Sequence, residues 1–433
     1  MARRAFVRDT MLAEAPPPVS ERTVLGWVRI NLFNGWLNAT LTVLSLLTIA
    51  FMLHEFLPWA FRSSWTATTL RECREAIWAD HGAGVSGACW AVIRDRYLQL
   101  IYGFYPHEAY WRPNLTFVLM LTALAPVLFP VLPRQLLFLS LAYPALAYWL
   151  LWGGSIWSPV LVMLGLGLAF GVFVKASELR NAILGGILAI GVLLVWFFVI
   201  LGPVAADLAA LVPIGLVPVE SELFGGFMLS VIIGVSGITA SLPLGILLAL
   251  GRKSDMPFLK TLCVGFIEFI RGVPLITLLF VASVLLNLFL PPGTSFDIIL
   301  RVVVMVTLFA SAYLAEVVRG GLAGLPKGQY EAANALGFDY WKSMRLIILP
   351  QALKISIPAI VSTFIGLFKD TTLVSIIGLF DPIGLAKAIR ADTDWNGIVW
   401  ELYIFIAAIF FVFCYSMSRY SMYLEQKLET EHR

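Results

Sequence analysis

Charge is scarce in this chain: Asp, Glu, Lys and Arg together make up 13% of its 433 residues. Histidine and cysteine are scarcer still, with four of each. Each shortage excludes something. With 60% hydrophobic residues and a mean hydropathy of +0.87, the polar surface is too small to wrap a soluble globule. His54, His81, His107 and His432 are scattered, and none stands at metal-ligand spacing from a cysteine, so no metal centre is expected. The phosphate loop G-x-x-x-x-G-K-[ST] is missing, so any ATP hydrolysis is expected on another polypeptide. HExxH does not occur, and Gly234-Val235-Ser236-Gly237 stops one residue short of a G-x-S-x-G elbow, which disfavours an intramembrane hydrolase. No face combines aromatic and basic residues in the manner of a nucleic-acid binder.

What the chain does have is apolar length. Runs near the ~20 residues that cross a bilayer recur throughout. They predict an all-α, polytopic membrane protein of about ten transmembrane helices, near 36–57, 115–133, 136–152, 157–174, 183–203, 225–250, 272–290, 298–318, 355–377 and 400–418. Lys and Arg side the loops. Arg134, Lys175 with Arg180, Arg252 with Lys253 and Lys260, and the loop from Arg319 to Lys354 fall on one side. Loops 153–156, 204–223 and 291–297, which lack Lys and Arg, fall on the other. Both termini are therefore expected in the cytoplasm. Residues 1–35, with Arg3, Arg4, Arg8, Arg22 and Arg29 and the Pro16-Pro17-Pro18 break, read as a basic tail without a cleavable signal peptide. A loop at 59–112 lies outside. It holds two amphipathic stretches, Thr68–Ala79 and Gly87–Tyr105, and the aromatics of the second (Trp90, Tyr97, Tyr102, Phe104, Tyr105) suit a helix at the membrane interface. Cys73 and Cys89 share this loop, where an oxidising compartment favours a disulfide if their Cα atoms lie close enough. Cys263 and Cys414 are expected to pack as small apolar side chains. Pro126, Pro130, Pro144, Pro243, Pro274 and Pro358 are expected to be tolerable inside spans where neighbours satisfy the freed backbone, and Gly167-x-x-x-Gly171 allows a close helix contact.

The most informative stretch is polar. Residues 328–350, GQYEAANALGFDYWKSMRLIILP, interrupt the greasy chain with a helix–glycine–helix pattern. Glu331, Ala332 and Ala333 build a tight first helix, Gly337 is fit to end it in the left-handed conformation, and Pro350 is expected near the end of the second.

Glu331-Ala332-Ala333, three residues, Gly337, nine residues and then Ile347-x-Leu349-Pro350 resembles the EAA loop of binding-protein-dependent ABC importer permeases. The resemblance implies a coupling loop, here 319–354, that seats in a groove on a separate ATPase subunit and passes its motion to the membrane helices. Three further runs are similar to those of the polar amino-acid permeases. These are Glu268-Phe269-Ile270-Arg271-Gly272-Val273-Pro274, Glu316-Val317-Val318-Arg319-Gly320-Gly321 and Lys369-Asp370-Thr371-Thr372-Leu373, the last with Thr372 where Ser is usual. The resemblance implies a type I five-helix permease core over 223–422, with a cytoplasmic tail over 423–433. It also implies a polar amino-acid cargo, a periplasmic binding protein, a second permease subunit and two copies of the ATPase, all at a bacterial inner membrane. The membrane extension 36–222 is similar in layout to the longer permease of general L-amino-acid importers.

Chemically, Glu268 and Arg271 stand three apart on one helix face, a spacing for mutual neutralisation, and Glu316 and Arg319 repeat it. Lys369 and Asp370 lie inside a span, where ionised groups cost several kcal/mol; they read either as a polar element beside the pathway or as a structural ion pair. Ser236, Thr239, Ser241, Ser311 and Tyr313 are further candidates to line the path, although membrane Ser and Thr commonly bond backbone carbonyls. The competing class is an ion-coupled secondary transporter, which often has two related halves; here the halves differ.

Overall fold

The computed structural model describes residues 23–129, 131–179, 182–285 and 297–430. Most of the basic tail, Pro130, Arg180, most of the loop after 285 and His432 lie outside them. Among the described residues, nine helices are long and apolar enough to cross a membrane, or ten if one bent pair counts as a span. The chain forms two compact units, Met1–Ala91 and Val92–Arg433.

In the first unit, α1 (Val24–Asn31) starts at Thr23, whose hydroxyl accepts the Gly26 N–H. The 26-residue α2 (Trp36–Phe61) buries none of its residues within the protein, as suits a helix surrounded by lipid. Its Thr40 and Thr48 hydroxyls donate to carbonyls one turn back, at 2.8 and 2.9 Å, so they present no unpaired donor to hydrocarbon. Thr69 caps α3 (Leu70–His81), from which Cys73 reaches Cys89. Their Cα atoms lie 6.0 Å apart, both side chains are buried, and the sulfurs are bonded. Closing a loop of this length stabilises a fold by about 3 kcal/mol. Trp90 stacks on Trp65 and donates its indole N–H to the Ala60 carbonyl at 3.1 Å.

The second unit begins at Val92, the second residue of α4 (Ala91–Tyr102). The aromatics expected at the membrane interface divide: Tyr97 and Phe104 are exposed, while Tyr105 packs inside the protein. Leu100 and Tyr105 are fully buried in protein, and the Tyr105 hydroxyl donates to the Leu151 carbonyl at 2.8 Å. An apolar face with a phenol that finds a buried carbonyl gains more from a protein seat than from headgroups. Next come α5 (Trp111–Leu128), α6 (Leu137–Trp152) and α7 (Trp157–Leu179). Then α8 (Ala182–Val195) runs through a π turn at Trp196–Ile200 into α9 (Leu201–Leu211). Two-residue strands, β1 (Gly154–Ser155) and β2 (Gly215–Leu216), pair antiparallel at one end of this bundle. The close contact expected at Gly167 and Gly171 is not made there: a Cβ on either would meet nothing within 4 Å. The approach occurs at Gly165, against the Trp196 ring, whose N–H donates to the Leu161 carbonyl at 2.9 Å.

The remaining elements are α10 (Gly226–Arg252), α11 (Pro257–Gly272), α12 (Leu275–Phe280), α13 (Ile298–Gly324), α14 (Lys327–Ala335), α15 (Tyr340–Ser343), α16 (Leu349–Asp370), α17 (Pro382–Ala391) and α18 (Trp400–Thr430). The span expected at 272–290 is broken. Gly272 ends α11, Val273 is extended as the residue before a proline must be, and the chain turns by 101° into Leu275–Ser283. Pro126, Pro144, Pro243 and Pro358 all sit inside helices.

One apolar cluster joins this half to the helices before it: Tyr105, Leu151, Val219 and Phe224 pack with Leu229, Ile233, Leu279, Val302 and Val306. A polar chain runs alongside. The Trp152 indole donates to the Ser221 hydroxyl at 2.7 Å, Ser221 donates to the Asp297 carboxylate, and Asp297 caps α13 by accepting the Leu300 N–H at 2.9 Å. Residues 92–224 thus pack with the later helices in one compact unit, Val92–Arg433.

Asp381 opens α17. Its fully buried carboxylate accepts the N–H groups of Ile383 at 3.1 Å and Gly384 at 2.9 Å. Burial outweighs those bonds and pushes its pKa up to about 6. A carboxyl that holds its proton more tightly folded than unfolded favours the fold most at low pH. That contribution is lost as pH rises from about 4 through about 6, a change of about 3 kcal/mol. Asp381→Asn keeps an acceptor for the cap and has no charge to bury. Its thermal midpoint in detergent is expected to match the wild type near pH 4 and to exceed it near neutral pH.

Candidate functional site

The polar hairpin begins with α14, which ends in a Schellman motif at Gly337. Gly337 has φ +72°, its N–H donates to the Asn334 carbonyl at 2.9 Å, and the Phe338 N–H donates to the Ala333 carbonyl at 3.2 Å. Of the expected triplet only Ala333 is buried; Glu331 and Ala332 face outward. Asp339 then caps α15 through the Lys342 N–H at 2.7 Å. The hairpin exposes the apolar side chains of Leu336, Tyr340, Trp341 and Leu346, and Glu331 is exposed on α14.

The second helix does not stop at Pro350. A π turn over Met344–Ile348 leads straight into α16, with Pro350 directly after the π turn. The helical run Tyr340–Ile377 is therefore continuous over 38 residues. Ile348 is fully buried, while Ile347 and Leu349 are half-buried around it. They pack on Leu250, Ile267, Val318 and Leu322, which seat the hairpin on α10, α11 and α13. Gln351 donates to Gln329 at 3.1 Å and ties α16 back to α14. A cavity of about 310 Å³ lies at the joint, lined by Lys253, Tyr330, Asn334, Tyr340, Ser343 and Met344.

Beside this seat lies an ion cluster. Glu316 on α13 is its centre. One carboxylate oxygen takes the Arg252 Nη1, and the other takes Arg319 at 2.9 Å and, more distantly, Arg271 at 3.9 Å. The same Arg252 nitrogen bonds Glu268 at 2.9 Å. The Glu316–Arg319 pairing matches its spacing. The expected Glu268–Arg271 pair does not form: Arg271 turns to Glu316 and over the Tyr313 ring, 5.6 Å from its centroid, while Glu268 is taken by Arg252. A guanidinium from a third helix outbids the local partner. Arg252 had no motif to mark it; its only sequence signal was a basic residue at the end of an apolar run.

At the far end of the run, Lys369 and Asp370 close α16 where it tightens into the 3-10 helix Thr371–Ile377. Lys369 is exposed and Asp370 half-buried, and neither has an ion pair within 4 Å among the described residues, so no structural pair forms there. The Thr371 and Thr372 hydroxyls donate to the Phe368 and Lys369 carbonyls at 2.8 and 2.9 Å, which terminates the helix. Ser241 and Ser311 are buried and bond carbonyls of their own helices, at 3.1 and 2.8 Å, and so line nothing. Ser236 is half-buried; Thr239 and Tyr313 are exposed. Among the described residues, no group of His, Cys, Asp and Glu could hold a metal ion.

A helix–glycine–helix tip seated on a bundle of broken and continuous spans is the arrangement that the EAA-loop resemblance leads one to expect of a membrane permease. Residues 241–430 match the family described as binding-protein-dependent transport system inner membrane component. The chain is 56% identical, over 100% of both chains, to a glutamate/glutamine/aspartate/asparagine transport system permease protein of Rhodobacter capsulatus. It is 41% identical, over 97% of its length and 98% of the relative's, to an inner membrane amino-acid ABC transporter permease protein of Escherichia coli. A probable glutamine ABC transporter permease protein of Bacillus subtilis matches at 33% identity, with 95% of that protein covered by 49% of this chain. The chain belongs to the family of amino-acid ABC transporter permeases, as a multi-pass inner-membrane subunit.

Proposed function

We propose that this permease carries polar L-amino acids of the glutamate, glutamine, aspartate and asparagine class inward across the bacterial inner membrane, with both termini in the cytoplasm. A periplasmic binding protein delivers the cargo, a second and similar permease subunit completes the pathway, and two copies of an ATPase dock beneath. The α14–α15 tip is the docking element: Glu331 meets a basic group of the ATPase, Leu336 and Trp341 enter its groove, and Gly337 sets the angle between the two short helices. Lys369 and Asp370, with Thr371 and Thr372 shaping the helix end, form the polar element beside the path. There the Lys369 ammonium receives the cargo's α-carboxylate, a group every member of the class shares. The Cys73–Cys89 disulfide holds an extracytoplasmic loop.

The observation that carries this proposal is the exposed apolar side chains of the hairpin and the exposed Glu331, which forms no ion pair among the described residues, on a hairpin seated against α10, α11 and α13. Reconstitution tests it. Proteoliposomes holding this chain, its sister permease and the ATPase are expected to accumulate labelled glutamate only with ATP and the binding protein. Accumulation by this chain alone under a proton or sodium gradient would instead identify a secondary transporter.

A further inference from the structure

Arg252 and Lys253 are consecutive residues at the end of α10, and they face two different machines. Lys253 reaches the hairpin: its Nζ donates to the Tyr330 hydroxyl at 3.1 Å and lies 5.0 Å from the centroid of that ring. Tyr330 precedes Glu331 on α14, and its hydroxyl in turn donates to the Leu322 carbonyl at 3.2 Å. Arg252 reaches the ion cluster, where a single nitrogen bonds carboxylates from two helices, Glu268 of α11 and Glu316 of α13. The Glu316 side chain is only 16% exposed, and three guanidiniums converge on it.

That arrangement has the properties of a switch. One donor shared between two acceptors on separate helices favours whichever moves closer. The charge balance makes the exchange cheap, because Arg271 and Arg319 still attend Glu316 if Arg252 leaves it for Glu268. The cavity at Lys253 and Tyr330 gives the lysine–phenol contact room to move without disturbing the packed seat.

We infer that Arg252 is a positioning residue that couples the docking hairpin to the membrane helices: displacement of α14 is read by Lys253 through Tyr330 and moves Arg252 between Glu316 and Glu268. This rests on the docking role of the tip given above. With the hairpin at rest, Arg252 ties the ends of α10, α11 and α13 together. When the hairpin is pushed, the tie shortens toward one helix and frees the other.

The test uses the whole reconstituted transporter with its binding protein. Arg252→Met, Arg252→Lys and Tyr330→Phe are compared for the amount of ATPase that copurifies, ATP hydrolysis without binding protein, and glutamate moved per ATP. Arg252→Met is expected to copurify the ATPase at the wild-type level, hydrolyse ATP without waiting for the binding protein, and move fewer molecules per ATP. The change should be roughly 5- to 150-fold, the range of one coupling free energy. Arg252→Lys, which keeps the charge but not the forked donor, should restore part of the coupling. Tyr330→Phe, a change at a packed surface ring that leaves the fold intact, should shift the same ratio in the same direction. Wild-type coupling in both Arg252→Met and Tyr330→Phe would overturn the proposal. So would loss of ATPase copurification in Tyr330→Phe, which would make the contact part of the docking seat. Failure of the docking role itself looks different, since the wild-type chain would then show no ATP-driven uptake.

Discussion

Glu331→Lys abolishes uptake while the protein still reaches the membrane in normal amount. Glu331 is exposed, and the ion pairs nearest to it in sequence, Glu316–Arg319 and Asp339–Lys342, do not involve it. A substitution at such a surface position shifts stability within about 0.5 kcal/mol, so the hairpin stays folded on its seat. On the proposed docking role, the partner then meets a like charge in place of a carboxylate. Breaking one side of a buried interfacial charge pair costs about 2–5 kcal/mol, or roughly 30-fold in affinity at the low end. Labelled-glutamate uptake, an immunoblot of the membrane fraction and the yield of copurified ATPase decide the matter together. Glu331→Gln, which removes charge without reversing it, should fall between. Normal uptake by the lysine variant would remove the tip from the coupling path.

The second large effect falls at the other end of the same helical run. Lys369→Met is expected to lower uptake while ATP hydrolysis stimulated by the binding protein persists. The ammonium is exposed and has no carboxylate within 4 Å among the described residues, so its loss leaves no orphaned anion in the fold. On the proposed cargo contact, what is lost is a hydrogen bond between charged groups, worth about 1.5–3 kcal/mol, or roughly 10- to 150-fold in uptake at low cargo concentration. Lys369→Arg should retain part of it. Undiminished uptake by the methionine variant would place cargo recognition elsewhere.

Much of this could be read before any coordinates, for reasons that differ from element to element. The spans were legible because backbone in hydrocarbon must bond internally, which forces long apolar runs. The hairpin was legible because Gly337 needs φ near +72° and because a polar island in a greasy chain stands out. The ion cluster was half legible. Glu316 and Arg319 are one helical turn apart, but Arg252 lies 64 residues from Glu316 and 16 from Glu268, and no local rule joins them. Pro350 misled because a proline ordinarily ends a helix, whereas the π turn before it depends on how Met344 and Ile348 are buried. Tyr105 was not legible for a related reason: a headgroup layer and a neighbouring helix end both attract an amphipathic ring, and composition does not tell which rings, such as the buried Tyr105 and the exposed Tyr97 and Phe104, go where.

The π turn at Met344–Ile348 sets a phase. It adds one residue to a turn, so the side chains before it are rotated by about 100° relative to a regular helix through the same positions. Trp341 at the tip and Lys369 at the far end share one stiff rod, and their relative azimuth is fixed by that single extra residue. Removing it would leave both ends chemically intact and pointing in mutually wrong directions. The proposed docking tip and the proposed cargo contact are thereby held at one fixed angle to each other along a single axis.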